Sequence, residues 1–161
     1  MLSNSTYERI NLLQTKLDQH LGPEFVLQRP TPSGAGKISY AEGWRIINIA
    51  NDVFGFQGWS SSIISLRVDN IDYNNETKLY IIGSSAIIRI TLPDGVFHED
   101  IGYAFVENGS KGTALEQSKK EAVTDGIKRA LRTFGNALGN CLYNNVYTEE
   151  VVKMKVPLVR V

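Results

Sequence analysis

With 161 residues, 42% of them hydrophobic and 21% charged, the chain has the make-up of one ordinary globular domain and excludes a disordered or fibrous protein. Seventeen basic and seventeen acidic residues cancel, so a polyanion would have to be met by cations gathered in one place and not by overall charge. The single cysteine, Cys141, excludes an internal disulfide and a cysteine-rich zinc site, no apolar run approaches the roughly 20 residues of a membrane span, and MLSNSTYERI lacks the pattern of a secretory signal, so neither a membrane-spanning nor a secreted protein is expected.

Ser5 and Glu8 spell a capping box ahead of Ile10, Leu13, Leu17 and Leu21, and Gly22-Pro23 closes the segment, which predicts a first helix over about 6–21. The Pro- and Gly-rich stretch RPTPSGAGK at 29–37 reads as a loop. Ser39 with Glu42 predicts a second capped helix over 42–54, with Trp44, Ile47, Ala50 and Phe54 on one face. The apolar period then falls to two. Ile64, Leu66 and Val68 alternate with polar neighbours, 72–76 is a polar turn, 79–92 is long and β-branched, Pro93-Asp94-Gly95 turns again, and 96–106 is a third run. Together they predict an antiparallel three-stranded meander. Thr113 with Glu116 predicts a capped helix to about Leu138, and the tail alternation of Val152, Met154, Val156 and Leu158 with Lys153 and Lys155 predicts a late strand without a local partner. The fold class expected is α+β, an αβββα core in which the meander packs on the long helix, with flanking helices.

In the long helix Val123, Ile127, Ala130, Leu131 and Phe134 occupy the spacing of a buried stripe, and the same template shifted back two residues falls on Glu121, Asp125, Lys128, Arg129 and Arg132. Lys128 and Arg132 are like charges at i, i+4, which is mildly unfavourable in an isolated helix. A solvated face is what most charge runs are, and phosphate contact is the other reading.

Other constellations are weaker. GAGKIS at 34–39 departs from a phosphate-binding loop at Thr31 and Ile38. His98, Glu99 and Asp100 read better as strand-surface polar residues than as a metal site, since His20 is the only other histidine. Cys141 reads as a small buried apolar group and not a nucleophile, and Phe54, Phe56 and Trp59 read as a core corner more readily than as a base-stacking platform. Tyr40, beside the loop with Arg29 and Lys37, is the better aromatic for nucleic acid.

LGPEF at 21–25, YAEGWRIINIANDVFGFQGWSS at 40–61, HEDIGYAFVENG at 98–109 and KKEAVTDGIKRALRTFGNALGNCLY at 119–143 resemble the N-terminal domain of the Rad52 family. The similarity spans about 7–147, leaving a tail at 148–161, and the last motif is long enough to be specific. It implies a single annealing and oligomerisation domain over 1–161, subunits that assemble into a ring, and a non-enzymatic nuclear protein, with no cofactor and no metal, that anneals complementary single strands without ATP in homologous recombination and double-strand break repair. By motif position the DNA-binding side chains implied are Arg29, Tyr40, Lys128, Arg129 and Arg132, with an outer surface at Lys78 and Lys111 that Asn145 and Glu149 weaken. The implied partners are single-stranded DNA, duplex DNA, other copies of the chain, and a strand-exchange recombinase and a single-strand binding protein recruited by family regions beyond these residues. The rival readings are a double-stranded RNA binding module, which shares the α-β-β-β-α order, a metal-dependent nuclease using Glu99 and Asp100, and an oligomeric scaffold.

Overall fold

The computed structural model describes residues 3–154, which fall into two compact units, one made of 3–55 and 132–154, the other of 56–131. In the second unit the meander forms as the period-two pattern predicts. β3 (Ser60–Asn74), β4 (Leu79–Thr91) and β5 (Phe97–Asn108) make one antiparallel sheet in the order β3-β4-β5. Local chemistry closes both turns. The Asn74 side chain accepts from the N–H groups of Glu76 and Thr77, with Lys78 in the left-handed region at φ 56°, and the Asp94 side chain accepts from Val96 N–H beside Gly95 at φ 89°. β3 carries register shifts against β4 at Ile63/Ser65 and at Val68/Asn70.

One face of this sheet meets α3 (Lys111–Arg132). From β4 it contributes Ile82, Ser84, Ala86, Ile88 and Ile90, and from β5 Gly102, Ala104 and Val106, all buried. The helix answers with Ala114, Ser118, Ala122, Gly126, Ala130 and Leu131. This corrects the predicted stripe: Ala130 and Leu131 are buried as expected, whereas Val123, Ile127 and Phe134 are only half-buried. The row that faces the sheet is made of small residues four apart, so strand and helix backbones touch. A Cβ on Gly102 would lie 2.0 Å from the Ala122 carbonyl oxygen and 2.2 Å from Gly126 N. The two buried polar side chains of this unit answer each other, Ser84 Oγ to Ser118 Oγ at 2.9 Å. On the opposite face β5 exposes Ile101, Tyr103 and Phe105, whereas the exposed Ile63, Leu66, Ile71 and Tyr73 of β3 pair with Ile88, Ala86, Ile82 and Tyr80 and so lie on the same face of the sheet as α3.

The first unit holds α1 (Asn4–Asp18), a 3-10 turn at Pro23–Phe25, a hairpin of β1 (Leu27–Pro30) and β2 (Lys37–Tyr40), α2 (Gly43–Phe54), two further 3-10 turns at Asn136–Leu138 and Asn140–Tyr143, and α4 (Asn145–Lys153). The loop predicted at 29–37 is present at 31–36, and its two ends belong to the strands of the hairpin. Its strands are four residues each, too short for a period to register in a segment rich in Pro and Gly. None of the three capping boxes forms as predicted. Ser3 caps α1 by accepting from Thr6 N–H, Glu42 precedes α2 and pairs with Arg45 at 3.0 Å while Ser39 lies in β2, and Ser110 accepts from Thr113 N–H at the start of α3 while Glu116 pairs with Lys120. On α2 the buried residues are Ile46 and Ala50, and Trp44 is exposed.

α3 ends at Arg132 and not at Leu138. At Gly135 a Cβ would come within 2.6 Å of the Leu17 carbonyl oxygen, so the chain leaves the helix against the backbone of α1. Where the sequence predicts a late strand, Val152 and Lys153 end a helix and Met154 is its extended C-cap. Asn144 caps α4 by accepting from Val146 and Tyr147 N–H, Val151 is buried, and Val152 is exposed on the last turn; the rest of that alternation, 155–161, lies outside the described residues. Cys141 is buried, as the sequence predicts, and its thiol donates to the Asn136 carbonyl at 3.3 Å. The Tyr147 hydroxyl donates to the Leu21 carbonyl, and His20 stacks on its ring at 4.9 Å.

Candidate nucleic-acid interface

The predicted site residues fall in both units. In the second, Lys128 and Arg129 lie near the end of the long helix that the sheet supports, and both are half-buried instead of standing on an open outer face. The exposed charges of α3 are Lys111, Glu116, Lys119, Lys120 and Glu121. Lys128 lies nearly opposite the small-residue row, whereas Arg129 flanks that row on the side where β5 comes up against the helix. Two carboxylates meet there. Asp125 accepts from Tyr103 N–H at 3.0 Å, and Asp100 Oδ1 lies 3.3 Å from Arg129 Nε while also accepting from its neighbour Ile101 N–H at 2.7 Å. The pattern Asp125 to Arg129 at i+4 is present in the sequence, but the strand carboxylate at Asp100 is not legible from the helix alone.

In the first unit Arg129's neighbour along the motif, Arg132, places its guanidinium 4.3 Å from the centroid of the Tyr143 ring. Arg29 and Tyr40 stand diagonally across the β1-β2 hairpin, where Arg29 pairs with Ile38 and Leu27 with Tyr40, and the Arg29 guanidinium lies 5.3 Å from the Tyr40 ring centroid. Tyr40 is therefore a strand residue held by a cation on the partner strand, not a residue beside a loop. Such a pair presents charge and a ring face together, the combination that suits phosphate and base.

Lys78, at the β3-β4 turn, and Lys111, the first residue of α3, are both exposed. Asn145 and Glu149 lie on α4 and line a groove of about 590 Å³ with Lys37, Ser39, Thr148 and Lys153. The remaining constellations resolve structurally. His98 and Asp100 share a face as the strand alternation predicts, Glu99 points to the other and is held by Arg89 at 2.6 Å, and among the described residues no three His, Cys, Asp or Glu side chains gather into a metal-binding group. Phe54 packs edge-on against Phe134 at 5.6 Å, as a core residue should, but Phe56 is 80% exposed, so the predicted core corner does not extend to it. Arg45, which the sequence does not mark, is a structural cation: it donates to the Glu24 carbonyl at 2.6 Å and lies over the Trp44 ring at 5.0 Å. Among the described residues no helix is long and apolar enough to cross a membrane.

A family model for Rad52/22 family double-strand break repair proteins matches residues 9–160. The chain is 50% identical over 153 residues to the DNA repair and recombination protein rad22 of Schizosaccharomyces pombe, covering 94% of this chain and 32% of that protein. It is 49% identical to mus-11 of Neurospora crassa, covering 96% and 26%, and 49% identical to RAD52 of Saccharomyces cerevisiae, covering 89% and 30%, both also DNA repair and recombination proteins by name. The chain thus spans a quarter to a third of the length of these relatives.

Proposed function

The chain belongs to the Rad52/22 family of double-strand break repair proteins, and on that premise we propose that it serves DNA repair and recombination by binding single-stranded DNA and annealing complementary strands. The observation that carries this reading is the gathering of Lys128, Arg129 and Arg132 at one end of a single helix in a chain of zero net charge. Three cations so close repel one another, and a polyanion is what turns that repulsion into binding energy. Arg29 beside Tyr40 supports it with a paired cation and ring, and Lys78 and Lys111 are the candidates for an outer contact with single-stranded or duplex DNA.

The mechanism is physical. Cations that neutralise phosphates release condensed counterions and let two like-charged strands approach, while contacts confined to the backbone leave base edges outward to test a partner strand. No covalent bond is made or broken, and neither ATP nor another cofactor enters, so the protein acts without being an enzyme. We read 1–161 as one functional domain that assembles with copies of itself into a ring. Half-exposed Ile101, Tyr103 and Phe105 on one sheet face, and Ile63, Leu66 and Tyr73 on β3, support self-association, because a monomer rarely leaves so much apolar surface to water. A role in double-strand break repair supports a nuclear location, and a recombinase and a single-strand binding protein would be engaged by regions beyond these residues.

The test is Lys128→Ala with Arg129→Ala. The double variant keeps the buried row of α3 and should stay folded with an unchanged mass by light scattering. It should bind a labelled single strand much more weakly, with the log-log salt slope shallower by about 0.7 to 1.4, and anneal poorly with or without ATP. Binding and annealing at the wild-type level would show that the cluster is only a solvated face. Preference for duplex RNA, or activity abolished by EDTA, would favour the RNA-binding or nuclease reading instead.

A further inference from the structure

Within the second unit the phosphate candidate Arg129 already holds an anion. Asp100 belongs to the face of β5 whose next residues on that face, Gly102, Ala104 and Val106, are buried, so its carboxylate is turned toward α3. Gly102 and Gly126 bring strand and helix into backbone contact one residue pair away. That approach sets Asp100 Oδ1 at 3.3 Å from Arg129 Nε, with the two side chains 19% and 36% exposed. The carboxylate is fixed from its own side, since the same oxygen accepts from Ile101 N–H at 2.7 Å. A carboxylate offers a guanidinium the same charge and nearly the same oxygen spacing as one edge of a phosphate, and a partly sheltered pair is less screened than a surface one.

We propose that Asp100 is an internal competitor for the phosphate that Arg129 takes: it positions the guanidinium in the free protein and weakens the grip on the strand in the complex. The proposal rests on reading Arg129 as a phosphate contact. Its use in annealing follows from the physics, because a strand held by every cation at full strength cannot shift register to find its complement, whereas one arginine that alternates between an internal carboxylate and a phosphate lets the backbone move in steps.

The measurement is the salt dependence of single-strand affinity, by fluorescence anisotropy of a labelled oligonucleotide, for the wild type, Asp100→Asn, Asp100→Glu, Arg129→Ala and Asp100→Asn/Arg129→Ala. Asparagine keeps the oxygen that accepts from Ile101 and removes the charge. Asp100→Asn should bind ~3- to 10-fold more tightly at low salt, with a slope steeper by up to about 0.7, while Asp100→Glu stays near wild type. The gain should vanish in the Arg129→Ala background, which a merely structural role would not produce. Should Asp100→Asn fail to fold by circular dichroism, Asp100→Ser carries the same test with a smaller neutral side chain. If the neutral variants bind no more tightly while the wild type binds and Arg129→Ala weakens it, Asp100 is only a clamp and the inference is overturned with the proposed function intact. If Arg129→Ala changes neither affinity nor slope, the reading of Arg129 falls and the inference with it.

Discussion

Replacing Gly102 by alanine adds one methyl group at the place where β5 and α3 are closest. The methyl carbon would stand 2.0 Å from the Ala122 carbonyl oxygen, 2.2 Å from Gly126 N and 2.7 Å from Gly126 Cα. All three are backbone atoms, so no rotamer change relieves the clash. Restoring ordinary contact at 3.4 Å needs a separation of about 1.4 Å across the face that buries Ile88, Ala104 and Ala122, and it stretches the Ser84 to Ser118 bond and the Asp125 to Tyr103 bond together. Overpacking of a rigid contact costs about 1–3 kcal/mol and each strained hydrogen bond about 1 kcal/mol more, so Gly102→Ala should lose roughly 3 kcal/mol or fail to fold. Gly126→Ala is the internal control. Its methyl would meet the Ile88 side chain at 2.5 Å, which can shift, and alanine gains about 1 kcal/mol of helix propensity over glycine. It should cost less than about 2 kcal/mol. Gly112→Ala, with nothing within 4 Å, should be neutral or stabilising. Urea titrations followed by circular dichroism at one fixed protein concentration give the three values. Gly102→Ala within 1 kcal/mol of wild type, or less harmful than Gly126→Ala, would refute the backbone-contact account.

Two further outcomes follow from local chemistry. Ser110→Ala removes the side-chain acceptor at the start of α3 and should cost about 1 kcal/mol, whereas Thr113→Ala should be neutral or slightly stabilising; the reverse order in urea midpoints would show that Thr113 is the cap. Burial raises the Cys141 thiol above its ordinary 9.0, and burial with the neighbouring Cys141 raises the Tyr147 phenol above its ordinary 10.0. Both groups stay neutral in the folded chain where the unfolded chain ionises, so their contribution is complete below those ordinary values and is lost as pH climbs through them toward the folded ones. Thermal midpoints should therefore fall above pH 9.0, and Tyr147→Phe should start lower, for want of the bond to Leu21, and fall less steeply. Parallel curves would rule out the tyrosine contribution.

The sheet and α2 were legible because a period of two over 12 to 15 residues, and a helical period bounded by Gly55, are long enough to outweigh single residues. The buried face of α3 was not, because hydropathy weights Val123 and Ile127 above Ala122 and Gly126, while the sheet selected for closeness of approach and so for small side chains. α4 escaped for a related reason: four alternating residues after Glu150 mimic a strand, and the decisive signal, the Asn144 cap, is a single side chain. Of the candidate site, Lys128, Arg129 and Arg132 could be read from the helix, Tyr40 from its place beside the 29–37 loop, and Arg29 from the motif resemblance. The Asp100 partner could not, because it comes from a strand 29 residues away, and nothing in a helical repeat announces which strand will lie alongside.

Ala114, Ser118, Ala122, Gly126 and Ala130 recur every four residues like the teeth of a rack, and a rack has more than one resting place. Displaced by one notch, about 6 Å along its axis, α3 would show the sheet nearly the same row. Hydrophobic burial alone would scarcely tell the two settings apart. What distinguishes them is a set of single-copy keys: Ser118 meets the Ser84 hydroxyl in one setting only, and a displaced helix would bring an alanine methyl to the place of Gly126, within 2.5 Å of the Ile88 side chain. A buried hydroxyl without its partner costs about 1–3 kcal/mol, enough to leave the wrong notch thinly populated. Two serines and Gly126 therefore set the height at which Lys128 and Arg129 stand, and their replacement by larger apolar residues would blur the position of those cations before it unfolded the domain.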